Sequence, residues 1–185
     1  WRILAAEALA GIGEPARVAV PEMLKRFVKT DPENDPRNME QRYLAFAMFN
    51  RRGGLLGRSL EGVDRTLLIQ AVRLGLKNED GRARASLASV YENLRFDELK
   101  PLLPDIDQAI KEQAPSDIMF SAEIRMAGLK LFAENHVSEG IELCVDYARH
   151  QRQHASEKRI DTIMDMLKMY GAHATRVTDQ LEAVA

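Results

Sequence analysis

The residues of this chain with chemical potential are four histidines, one cysteine, a glycine–arginine loop and a few carboxylate pairs. His150 and His154 stand four apart, a spacing that places two imidazoles on one helix face and that zinc sites use. Yet HQRQH falls at a helix end, no cysteine lies near it, and no glutamate follows the first histidine to serve as a base. Solvated imidazoles at a junction are the preferred reading. Arg51–Gly62, RRGGLLGRSLEG, superficially matches a phosphate-cradling loop. That motif, G-x-x-x-x-G-K-[ST], follows a buried strand and opens a helix. Here Gly53 and Gly57 are one residue too close, Arg58 replaces the lysine, and no strand precedes. The stretch is expected to be an exposed inter-helix loop whose arginines, Arg51, Arg52 and Arg58, are candidate contacts for an acidic partner.

Cys144 falls on an apolar helix stripe and reads as a small buried hydrophobe, not a nucleophile. Asp105/Asp107 and Asp161/Asp165 sit at helix-surface spacings, and paired carboxylates do acid–base work only where a cleft perturbs their pKa values. Met119, Phe120 and Met126 follow helical spacing and read as core before they read as a ligand pocket. No catalytic, cofactor-binding or metal-binding residue is assigned, and no cofactor is expected.

These residues are carried by amphipathic helices. In Asp80–Leu94 the apolar positions are Ala83, Leu87, Val90, Tyr91 and Leu94, one stripe on a 3.6-residue period. Arg82, Arg84, Glu92 and Asn93 are expected on the opposite side, and Asn78 or Asp80 is the expected N-cap. The following helix has Leu99, Leu102, Leu103, Ile106 and Ile110 inward, Asp97 as its natural cap and Pro101 in the first turn. Pro104 should bend that helix or delay its start. The pattern recurs. Trp1, Leu4, Ala5, Ala8, Leu9 and Ile12 form one face, then Ala16, Val20, Met23, Leu24 and Phe27 another, with Pro21 placed as Pro104 is. Tyr43, Leu44, Ala47 and Met48 follow, then Leu67, Leu68, Ala71, Val72 and Leu76.

Toward the end, Ile118–Glu134 is apolar nearly all round. Val137, Ile141, Cys144, Val145 and Ala148 form one stripe, and Ile160, Ile163, Met164 and Leu167 the next. Ala174, Val177, Leu181 and Val184 form the last. The phrase Tyr170-Gly171-Ala172-His173-Ala174 echoes Ile12-Gly13-Glu14-Pro15-Ala16. The result is about five helix pairs spaced roughly 40 residues apart, and no strand-period segment competes.

Of 185 residues, 45% are hydrophobic and 29% charged, which argues for a folded chain over a disordered one. A formal net charge of −2 argues against nucleic-acid binding as the main activity. A single cysteine excludes an internal disulfide, and no apolar run has membrane-spanning length. The chain starts at Trp1, inside what reads as the middle of a repeat. One domain spanning 1–185, cut from a longer protein, is therefore expected.

Trp1–Leu24 resembles the common form of the HEAT repeat, R-x-x-A-A-x-A-L-x-x-I-G-x-x-A-x-x-A-V-P-x-L. The segments SLEGVDRTLLIQAV, GRARASLASVYENL, LLPDIDQAI, APSDIMFSAEIR and EGIELC resemble uncharacterised large bacterial HEAT-repeat proteins of a domain-of-unknown-function family. That likeness covers about two-thirds of the chain, from Leu60 onward. It implies a right-handed superhelical all-α solenoid, and it alone suggests an exported protein. It carries no functional residues across. A non-catalytic scaffold that holds a protein or peptide on the concave face of the second helices is the expected function. Lys25, Arg73, Lys111 and Glu142 would then face the partner. A structural spacer is the alternative, and a HEAT-type DNA glycosylase or bilin lyase a lesser one.

Overall fold

Every regular element is helical among residues 1–29, 31, 33–117, 119–151 and 156–182, which the computed structural model describes. The fold is all-α. No helix among these residues is long and apolar enough to cross a membrane. The chain divides into two units, Trp1–Arg125 and Met126–Ala185.

The first unit contains α1 (Arg2–Ile12), α2 (Val20–Val28), α3 (Met39–Phe49), α4 (Arg65–Gly75) and α5 (Gly81–Ala88). The short α6 (Phe96–Leu99), α7 (Leu103–Lys111) and the first turn of α8 (Ser121–Glu134) complete it. Packing follows two rows: α3 lies between α1 and α5, while α2 packs on α4. Hydrophobic stripes dictate this. Val20, Met23, Leu24 and Phe27 of α2 are buried, as are Leu68, Ala71 and Val72 of α4 and Ala83 and Leu87 of α5. Pro21 and Pro104 each occupy the first turn of a helix that a 3-10 stretch precedes, Glu14–Ala19 before α2 and Lys100–Leu102 before α7. The missing proline N–H would be unsatisfied there in any case. Pro104 thus delays its helix.

Three expectations need correction. In α1 the buried residue is Ala6, whereas Trp1, Leu4 and Ile12 are 101%, 60% and 60% exposed. The helix is apolar on most sides, and α3 and the 3-10 turn after it cover only one of them. Asp97 is not the cap of α6. The N-cap is Arg95, two residues earlier, and Glu98 reaches back to accept the Arg95 N–H at 2.9 Å. Arg84 is not on the solvent side but buried. Its Nε donates to the Asn78 carbonyl at 2.6 Å and its Nη1 to that of Glu112 at 3.1 Å. Of the two candidate caps for α5, Asp80 is the one used, accepting the Arg82 N–H at 2.8 Å.

In the second unit, α9 (Glu139–Arg149) and α10 (Ser156–Met169) lead through a 3-10 stretch, Gly171–Val177, into α11 (Thr178–Glu182). Ile141, Cys144, Val145, Ala148, Ile163, Leu167 and Val177 are buried. The echo seen in the sequence has a backbone counterpart. Gly13 (φ 75°), just before one 3-10 stretch, and Gly171 (φ 56°), the first residue of another, both have a positive φ. Such a φ is nearly free of cost for glycine alone. Ile118, His154 and Val184 lie outside the described residues.

A Cβ at Gly75 would stand 2.5 Å from Leu87 Cγ and 3.2 Å from the Phe27 ring, where α4 meets α5. Overpacking of this kind costs about 1–3 kcal/mol, and alanine's helix preference over glycine returns about 1 kcal/mol of it. Gly75→Ala should therefore lower the urea midpoint, with a net loss of up to about 2 kcal/mol after that preference is credited. An unchanged or higher midpoint would show that the helices do not need this approach.

Candidate functional site

The candidate site is a groove of about 680 Å³ built by three separate stretches of the first unit. Phe46, Asn50, Arg51 and Arg52 come from the end of α3, Arg82, Ala85, Ser86 and Ser89 from α5, and Phe120 and Glu123 from the start of α8. Its volume lies within the range of ligand-sized clefts.

Each wall is fixed locally. Asn50 follows the last residue of α3, and its Oδ1 accepts the Arg52 and Gly53 N–H groups at 3.0 and 3.2 Å. Asparagine is suited to this turn, since its short carbonyl mimics a backbone acceptor. The loop then folds back on the helix, Leu55 and Leu56 donating to the Ala47 and Met48 carbonyls. Leu55, Leu56 and Leu60 are buried, so this loop is not wholly exposed as expected: its leucines face the core and its arginines face solvent. Gly54 and Gly57 serve close backbone packing, since a Cβ at either would meet the Asn50 backbone within 2.7 Å. The Gly53, Gly54 and Gly57 N–H groups are already taken by Asn50 and Gly54 oxygens, which rules out a phosphate cradle built from them.

On the α5 side, Ser89 Oγ bonds the Phe49 carbonyl at 2.9 Å and joins the two helices. Asp117 Oδ1 accepts the Met119 and Phe120 N–H groups at 3.0 and 2.7 Å. That cap places the Phe120 ring beneath Arg82, whose Cζ lies 6.0 Å from its centroid. Phe46 is 48% exposed, although Ala45, Ala47, Met48 and Phe49 around it are buried. The groove thus has two aromatic surfaces within a positive lining, three arginines against one glutamate. Arg51 reaches Glu92 at 3.8 Å, a long pair between exposed groups and of little energetic value. Arg52 and Arg82 pair with no carboxylate among the described residues.

Two of the three arginines anticipated from sequence, Arg51 and Arg52, therefore meet in this groove, and Arg58 does not line it. Phe46 and Arg82 were not anticipated. Phe46 did leave a signal, as a large apolar residue beside the inward stripe of α3. The residues proposed for the second-helix face are engaged elsewhere. Arg73 pairs with Asp105 at 3.1 Å, Lys111 with Asp107 at 2.7 Å, and Glu142 with Arg176 at 2.7 Å. Lys25 lines a smaller cavity of about 350 Å³ with Arg17, Pro21, Glu61, Asp64 and Leu67, where the two signs of charge balance.

Other sequence candidates take structural roles. Lys77 also pairs with Asp105, at 2.9 Å, and Lys168 pairs with Asp165 at 2.8 Å. Met119 and Phe120, expected in the core, are not there: Met119 is 71% exposed and lies outside the groove, whereas Phe120 lines it. His150 is exposed, its Nδ1 2.7 Å from the Asp146 carbonyl. No group of three or more metal-ligating side chains occurs among the described residues. Comparison with protein-family models, curated proteins and solved structures finds no match.

Cys144 is fully buried, and burial pushes its thiol up to about 12. Thiolate is the reactive form. Iodoacetamide at pH 8 should leave Cys144 unmodified in the native protein and alkylate it within minutes in urea, as read by intact mass. Rapid native alkylation would mean that the second unit opens readily.

Proposed function

We propose that this chain is a non-catalytic protein-binding module, a right-handed solenoid of about five HEAT-like helix pairs that holds its partner in the α3–α5–α8 groove. The observation that carries this reading is the pair of arginines, Arg52 and Arg82, which meet no carboxylate partner among the described residues and lie beside two partly open phenylalanine rings. Interfaces favour arginine and aromatic residues, and a rigid groove presenting both is suited to anchor a partner. The alternation of first and second helices in two rows supports the repeat reading. The contact face in this proposal is the row of first helices, since the charges of the second helices are largely satisfied within the chain.

A spacer would need no such groove. A base-excising enzyme would need a carboxylate held in a water-excluded cleft, and the groove's Glu123 is exposed.

The test is capture from the source extract with mass-spectrometric readout, using the wild-type chain, Arg52→Glu/Arg82→Glu and Arg58→Glu as baits. A stoichiometric protein should be held by the wild type and by Arg58→Glu. The double variant should hold it at least about tenfold less, the usual scale for losing two interfacial charges. Equal capture by all three baits, or none by any, would overturn the assignment of the groove.

A further inference from the structure

We infer that the occupant of this groove is an acidic, extended protein segment that places an aromatic or large aliphatic side chain between its carboxylates. The inference rests on the binding-module reading and adds the chemistry of the partner. Three features of the lining select that chemistry.

The first is the balance of donors and acceptors. Ser86 Oγ bonds the Arg82 carbonyl at 2.9 Å and Ser89 Oγ those of Phe49 and Ser86 at 2.9 and 2.8 Å, so both hydroxyl protons are committed to backbone. Asn50 spends its side-chain oxygen on the loop. Against the single carboxylate of Glu123, the donors left to offer are the guanidinium N–H groups of Arg51, Arg52 and Arg82 and the Asn50 amide nitrogen, so donors predominate and demand acceptors. A planar guanidinium matches the two oxygens of a carboxylate.

The second is orientation. Phe120 beneath Arg82 supports the guanidinium by cation–π attraction, and a stacked guanidinium keeps its in-plane N–H edges open to an anion. The third is Phe46. A ring half open to solvent among buried neighbours offers an apolar contact in the same groove as the loop arginines and Arg82. An occupant with carboxylates alone would leave that surface wet.

A protein segment fits better than a nucleic acid. Phosphate backbones are bound by extended tracks of cations, whereas this positive charge is confined to one groove. Glu123 within it and Glu92 beside Arg51 would repel a regular line of phosphates, while a peptide can set a neutral residue opposite each.

The experiment is selection of a random twelve-residue phage-displayed peptide library on the immobilised full chain. Fluorescence anisotropy of the enriched peptides follows, with a labelled oligothymidine as a second probe. The expected result is enrichment of acidic sequences containing an aromatic or leucine. Their binding should weaken at least about tenfold in Arg52→Glu/Arg82→Glu, hold in Arg58→Glu, and fall steeply with added salt. Arg52→Ala, a change confined to an exposed loop residue, repeats the test if the double variant loses helicity by circular dichroism; a several-fold loss is expected there.

Enrichment of uncharged or basic peptides that Phe46→Asp abolishes would overturn the acidic occupant and leave the binding module standing. Acidic peptides held equally by the double variant and by Arg52→Ala would also overturn it, since they would sit elsewhere. Tighter binding of oligothymidine than of any peptide would replace the protein segment with a nucleic acid. Failure of every peptide to enrich would overturn the inference, while the capture experiment continues to judge the module itself.

Discussion

The first unit depends on how the Asn78 amide is satisfied. A buried amide must find partners for its donors and acceptor or forfeit the free energy of its lost hydration. Asn78, 2% exposed, donates from Nδ2 to Gln41 Oε1 at 2.8 Å and accepts the Asp80 N–H at 2.9 Å, and its backbone carbonyl takes Arg84 Nε at 2.6 Å. Gln41 in turn donates to the Phe27 carbonyl at 3.3 Å, and Arg84 reaches the Glu112 carbonyl. One turn residue therefore ties the end of α2, the body of α3, the start of α5 and the end of α7. Burial lowers the Arg84 pKa from its ordinary value, with Glu112 and Asp117 opposing that shift. The spacing of α3 and α5 set here is the width of the groove, and the Ser89 bond to Phe49 holds its other end.

Much of the fold was legible because periodicity records which face of a helix is apolar. The stripes of α2, α4, α5 and α9 are buried, and the shared placement of Pro21 and Pro104 marks two helices that start after a 3-10 stretch. Periodicity does not record which neighbours exist. For α1 it gave a face that nothing among the described residues covers. It also put Arg82 and Arg84 together on a polar side, though two positions apart on a helix is about 200° of rotation. One guanidinium ends up in the groove and the other in the core.

The groove was half visible. Arg51 and Arg52 stood out as a basic pair in a loop, but Arg82 and Phe120 are thirty or more positions away and meet them only through the packing of α3, α5 and α8. The glycines that suggested a phosphate loop answer to a different constraint, the return of the chain over Asn50. The chemistry-bearing residues elsewhere are neutralised by their surroundings. Cys144 is sealed in the core, and Asp105, Asp107 and Asp165 are paired with cations.

The central claim is that Arg52 and Arg82 receive the carboxylates of a partner. The most direct measurement is nuclear magnetic resonance of nitrogen-labelled arginine side chains during titration with an acetylated peptide of glutamates flanking one tryptophan. The account predicts that the Arg52 and Arg82 Nε–H signals shift together and saturate, while those of Arg58 and the buried Arg84 stay in place. Stationary Arg52 and Arg82 signals, or shifts confined to Arg17 beside the smaller cavity, would contradict it.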